Sequence, residues 1–97
     1  MYGTVARMKV KPGMMGKLKE LMGAEEMQGI PGLVSSTVYQ MDSDSNELYL
    51  AVAFDTKETY TKNAESPEQN ARYEQMVALL DGAPEWHDGE VVYRHPA

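Results

Sequence analysis

Among side chains able to handle protons, electrons or metals, this sequence carries six tyrosines, two histidines and fifteen carboxylates, but no cysteine. Without thiols, disulfides, thiolate catalysis, iron–sulfur ligation and cysteine-based zinc sites are excluded. Asp42, Asp44 and Asn46 resemble the opening of an EF-hand loop. However, Glu47 stands where that loop needs glycine, Ala53 where it needs a bidentate glutamate, and a strand follows where a helix belongs. Gly13-Met14-Met15-Gly16-Lys17 is too short for a phosphate-binding loop and lacks the following Ser or Thr. Trp86-His87-Asp88 has the composition of a proton relay, but adjacent strand residues point to opposite faces, so His87 cannot share a pocket with both neighbours. The tyrosines remain the main chemical resource. Each is either a phenolic donor or a core ring whose hydroxyl reaches the surface.

The elements that must position these groups follow from hydrophobic period. Tyr2 to Val10 alternates, with Thr4, Ala6, Met8 and Val10 on one face and Val5, Arg7 and Lys9 on the other, which is the pattern of a half-buried strand stopped by Pro12-Gly13. From Met14 to about Gln28 the period becomes helical, carried by Met14, Leu18, Leu21, Met22 and Glu25. Leu33 to Met41 reads as a second strand, and the polar run from Asp42 to Asn46 turns it back into a third, Leu48 to Phe54. A short helix is expected over Lys57 to Asn63. A longer one begins at Ser66, with Ser66 as N-cap, Pro67 at the first helical position and Gln69 completing a capping box. Its buried stripe is Tyr73, Met76, Val77 and Leu80; Gly82 and Pro84 end it, and Trp86 to Arg94 supplies the last strand. The eight methionines are spread over helices and strands as core filler of adaptable shape.

Strand, helix, strand, strand, helix, strand is the split βαβ plan of an α+β, ferredoxin-like fold: an antiparallel sheet with its helices on one face. The third strand, Leu48 to Phe54, is apolar without a break, as strands buried on both sides are. Helices cover one side only. The face carrying Tyr49, Ala51 and Ala53 therefore needs another cover, and a second copy about a two-fold axis supplies it, unless that face is an open cleft. A homodimer is expected.

At 97 residues the chain fits one domain, residues 1–97 with a core over about 2–94, and such a domain buries only about 60–65% of its unfolded surface. Nine basic against fifteen acidic residues leave a net charge of −6 with no basic cluster, which argues against nucleic acid and anionic membranes as partners. No stretch approaches the roughly 20 apolar residues that span a bilayer, and the N-terminus lacks a signal-peptide pattern. A cytoplasmic protein is expected.

Asn63 to Gln69 (Asn-Ala-Glu-Ser-Pro-Glu-Gln), Leu79 to Val92 (Leu-Leu-Asp-Gly-Ala-Pro-Glu-Trp-His-Asp-Gly-Glu-Val-Val) and the order of elements together resemble the antibiotic biosynthesis monooxygenase family of dimeric α/β barrels, over roughly Tyr2 to Tyr93. Small barrels of this kind host many activities. Some members oxidise phenols, anthrones or quinols with O2 and no cofactor; others degrade haem. The family often has an aromatic, commonly Trp, at the end of the third strand and a His three residues before Ser-Pro, places filled here by Phe54 and Asn63. A haem ligand on a helix has no counterpart, since His87 and His95 lie in or after the last strand.

What the resemblance implies is a monooxygenase acting on a small aromatic or quinol compound with O2 and without cofactor or metal. The alternative is a non-catalytic barrel that binds a small hydrophobic molecule. Cofactor-free oxygenation needs a dry pocket, a proton acceptor or water, and donors for a substrate anion. On this reading Arg7, Tyr49 and Asn63 are the catalytic candidates, and Tyr39, Phe54, Tyr73 and Trp86 bind substrate, all in one pocket between the sheet and its helices. Arg7 paired with a carboxylate on the sheet, and Asn63 as an ordinary cap, are the plain alternatives.

Overall fold

The computed structural model describes residues 1–23 and 29–96. Four strands and three helices follow in the order β1 (Tyr2–Lys9), α1 (Met15–Met22), β2 (Leu33–Gln40), β3 (Glu47–Phe54), α2 (Lys57–Ala64), α3 (Pro67–Val77) and β4 (Glu85–Glu90). The sheet runs β2-β3-β1-β4, with every neighbouring pair antiparallel. This is the α+β, ferredoxin-like architecture expected from the sequence. Of the first helix, expected from Met14 to about Gln28, residues 24–28 lie outside the described residues.

Alternation on β1 sorts the two faces. Ala6, Met8 and Val10 are almost fully buried, whereas Val5, the neighbour of Ala6, is 51% exposed. Register carries that division to β3, where Ala6 faces Leu50 and Met8 faces Leu48, while Val5 faces Ala51 and Arg7 faces Tyr49. The core therefore lies on one side: Ala6, Met8, Val10, Leu48 and Leu80 pack around Leu18 of α1, with Met14, Met15, Met22, Met76 and Leu79 at its margin. Burying a side chain such as Leu18 or Met8 contributes about 1.5–3 kcal/mol each.

Chain ends of the helices are set locally. The reciprocal capping box forms at α2, not α3: the Thr59 N–H donates to Thr56 Oγ1 at 3.1 Å and the Thr56 N–H to Thr59 Oγ1 at 3.3 Å. At α3 only half of the expected box exists. Ser66 Oγ accepts from the Gln69 N–H at 3.1 Å, but the Gln69 side chain is bonded to Arg72 and Asn63 instead. Gly32, at φ +81°, lets the start of β2 pass over the α2 cap; a Cβ there would stand 2.6 Å from Thr59 and 2.7 Å from Asp55 Oδ1. β4 is shorter than expected and stops at Glu90, after which the Val91 N–H makes one last bond to the Met1 carbonyl.

Candidate functional site

Two polar and aromatic groupings lie on opposite faces of the sheet. On the helix side, α2 turns Tyr60 and, one turn later, Asn63 inward, both half-buried. The Tyr60 ring lies 5.2 Å from that of Tyr2 and 5.6 Å from that of Phe54, and its hydroxyl donates to Asp88 Oδ1 of β4 at 2.8 Å. Burial, then the hydrogen bond to the Asp88 carboxylate and its charge, push the Tyr60 phenol up to about 12. The buried Thr4 hydroxyl stands close enough to oppose that rise, but it reaches no hydrogen-bond partner among the described residues.

At the α2–α3 junction, Asn63 does two things. Its backbone carbonyl accepts from Ser66 Oγ at 2.9 Å, closing the turn. Its side-chain amide takes part in a small network: Oδ1 accepts from Arg72 Nη2 at 3.4 Å, and Nδ2 donates to Gln69 Oε1 at 3.4 Å, itself held by Arg72 Nε and Nη2 at 3.2 and 3.1 Å. The contacts of Asn63 are long and weak, while Arg72 places a guanidinium beside its amide. The next residue, Tyr73, sets its ring 6.1 Å from that of Trp86 on β4. Phe54, Asn63, Tyr73 and Trp86 thus share the helix side, and β3, α2, α3 and β4 position them.

Arg7, Tyr39 and Tyr49 do not join them. Register places all three on the opposite, helix-free face, Tyr39 beside Tyr49 and Tyr49 beside Arg7. The expected single pocket between sheet and helices that would hold all seven residues is corrected accordingly. Arg7 donates from Nε to Glu47 at 2.7 Å and from Nη1 to Glu85 at 3.1 Å. Those bonds, Glu85 first and then Glu47, raise its affinity for its proton further. A guanidinium engaged by two carboxylates has little charge left to offer an anion. The plain reading, a pair on the sheet, describes Arg7.

No calcium loop forms around Asp42. Asp44 is bound by Lys9 Nζ and by the Asn46 N–H, and these two bonds, Lys9 first, hold its carboxyl below the ordinary range. Among the described residues, no group of three or more His, Asp or Glu side chains converges as a metal site. His87 faces away from Trp86 and Asp88, as alternation requires: Trp86 and Asp88 pair with Ala6 and Thr4, and His87 with Val5. Among the described residues no helix is long and apolar enough to cross a membrane.

The sequence reading missed Tyr60 and Arg72. Tyr60 had a signal, since it lies three residues before Asn63 on one helical face. Its bond to Asp88 spans 28 residues and depends on where β4 docks.

No family model and no curated protein matches the chain. Solved structures do. A protein of Chloroflexus aurantiacus assigned to the antibiotic biosynthesis monooxygenases superposes with a TM-score of 0.79 at 23% identity, covering 97% of this chain and 95% of its own. One from Nitrosomonas europaea with the same assignment gives 0.79 at 19% identity, over 96% and 100%. SnoaB of Streptomyces nogalater, a cofactor-independent oxygenase solved as an Asn-to-Ala variant, gives 0.84 at 14% identity, over 99% and 97%. The resemblance read from the sequence extends to three dimensions, and the chain has the fold of the antibiotic biosynthesis monooxygenases.

Proposed function

We propose that this protein is a cofactor-independent monooxygenase for a small aromatic or quinol-type compound, built as a cytoplasmic homodimer of one-domain chains. The observation that carries the reading is the helix-side grouping: the ring pairs Phe54–Tyr60 and Tyr73–Trp86 lie on the same side of the sheet as the Asn63 amide and its Arg72 contact. The fold it shares with an oxygenase that needs no cofactor supports it.

The substrate supplies all the electrons. A C–H made acidic by a neighbouring ring carbonyl or phenol loses its proton to water, the anion passes one electron to O2, and the pair recombines at carbon as a hydroperoxide. Loss of water leaves a carbonyl, so that SH2 + O2 gives S=O + H2O, with four electrons leaving carbon and four reaching dioxygen. The protein's part is electrostatic. Asn63 Nδ2 and Arg72 donate toward the anion's oxygen, and the bound aromatic substrate itself displaces the water that would weaken those donors. Oxygen uptake by purified protein with anthrones and hydroquinones, chelator present and flavin absent, tests it; uptake above the spontaneous rate is expected, with loss in Asn63→Ala.

A second reading, a dimeric barrel that binds a small hydrophobic molecule without turnover, is favoured by Asn63 itself, an amide that cannot take up a proton where the family often has His. Saturable thermal stabilisation by the same compounds without oxygen uptake would select it.

A further inference from the structure

On the helix side, β4 carries Trp86, Asp88 and Glu90, directly across from Ala6, Thr4 and Tyr2 of β1. Two of these are carboxylates, and they are held differently. Asp88 Oδ1 accepts from the Tyr60 hydroxyl at 2.8 Å, which leaves Oδ2 without a hydrogen bond among the described residues. Glu90 makes no side-chain hydrogen bond among them at all. Across from Asp88, the Thr4 hydroxyl is buried and has no partner among the described residues. A buried hydroxyl seldom stays unpaired, which makes this the spot on the helix side where an arriving polar atom gains most. Its neighbours are poor proton acceptors. The Tyr60 phenol gives up its own proton only near 12, so it serves as a donor. Asn63 is an amide and Arg72 a cation, and His87 lies on the other face.

We propose that Asp88 Oδ2 takes the proton from the substrate's acidic C–H, with Tyr60 as the residue that positions the carboxylate. The assignment rests on the monooxygenase reading and puts a side chain where water otherwise acts. An anthrone shows why base and anion donors should be separate groups: its carbonyl oxygen and its acidic CH2 lie at opposite ends of the central ring. Charge collects at one end while the proton leaves from the other. Tyr60 and Asn63 stand one turn apart on one face of α2, so the amide serves the oxygen and the carboxylate at the Tyr60 tip serves the carbon. A base held by a third group is the ordinary arrangement for proton transfer. The C–H bond breaks, an O–H bond forms on Asp88, and the electron pair stays on the substrate. After one electron has passed to O2 and the pair has recombined at carbon, the peroxide oxygen takes the proton back from Asp88. Loss of water then gives the carbonyl, so the carboxylate is restored at each turnover and SH2 + O2 still gives S=O + H2O.

Oxygen uptake with anthrone, above the spontaneous rate and with circular dichroism to confirm folding, tests the assignment. Asp88→Asn keeps an oxygen for the Tyr60 hydroxyl but cannot accept a proton, and should lower uptake about a hundredfold. Asp88→Ala should fall as far and regain part of its rate as acetate is added, because the external carboxylate fits the space left by the side chain. Wild type and Asp88→Asn should not respond to acetate, and Glu90→Gln should keep the wild-type rate. Uptake unchanged in Asp88→Asn, or a loss in Asp88→Ala that acetate does not relieve, overturns Asp88 as the base and leaves the monooxygenase reading standing. No uptake by wild type overturns both.

Discussion

The Tyr60 hydroxyl donates to Asp88 Oδ1 at 2.8 Å, joining α2 to the edge strand β4. One turn along the same helix face sits Asn63, so the bond fixes how α2 presents its amide to the helix side of the sheet. Removing it with Tyr60→Phe should cost about 1 kcal/mol, the ordinary net worth of a hydrogen bond. Urea denaturation checks this, with a lower midpoint and an unchanged slope expected.

The same phenol makes stability depend on alkaline pH. Its proton leaves near 10 when free and about 12 in the fold, so the protonated form is favoured by folding. That contribution is fully present below pH 10 and is lost as pH rises through 12. Thermal melts between pH 9 and 12 should show a steeper decline for wild type than for Tyr60→Phe.

At the acid end, Asp44 has its carboxyl held low by Lys9 and the Asn46 N–H. Its stabilising contribution is present above the free carboxyl's 3.8 and fades as pH falls through the lower folded value. Asp44→Asn should therefore flatten the acid limb of the stability profile, and added salt should flatten it in wild type.

Gly32 should not tolerate a side chain. With φ at +81° and Thr59 2.6 Å from where a Cβ would stand, Gly32→Ala adds backbone strain of about 1–3 kcal/mol to a clash with the α2 cap. The melting temperature should fall, and because α2 carries Asn63, any turnover should fall with it.

Leu18→Ala should destabilise by about 2–5 kcal/mol, since the side chain is wholly buried at the centre of the core. Denaturant titration reads the loss directly.

The order of strands and helices was legible because period two and period 3.6 are properties of neighbouring residues. Thr4, Ala6, Met8 and Val10 all fall on the buried side as alternation requires. The site was legible only in part. Phe54, Asn63, Tyr73 and Trp86 share one side of the sheet, but Arg7 and Tyr49 were expected in the same pocket although alternation had already put them on the side away from Ala6 and Leu48. What no pattern could give was long-range docking: Asp88 beneath Tyr60, and Glu47 and Glu85 on either side of Arg7. The Gln69 side chain is a subtler case, since the capping rule was sound for Ser66 but Arg72, one turn on, competed for the glutamine oxygen.

The central claim is that the helix side of the sheet, around Asn63, binds and oxidises an electron-rich aromatic. The most direct measurement is oxygen uptake with an anthrone or hydroquinone, chelator present and flavin absent, by wild type and Asn63→Ala at equal folded fraction. Uptake above the spontaneous rate in wild type, reduced about tenfold or more by Asn63→Ala (some 1.4 kcal/mol of transition-state stabilisation), is the predicted result. Uptake unchanged in Asn63→Ala, or ligand-induced stabilisation of wild type with no uptake at all, would contradict it.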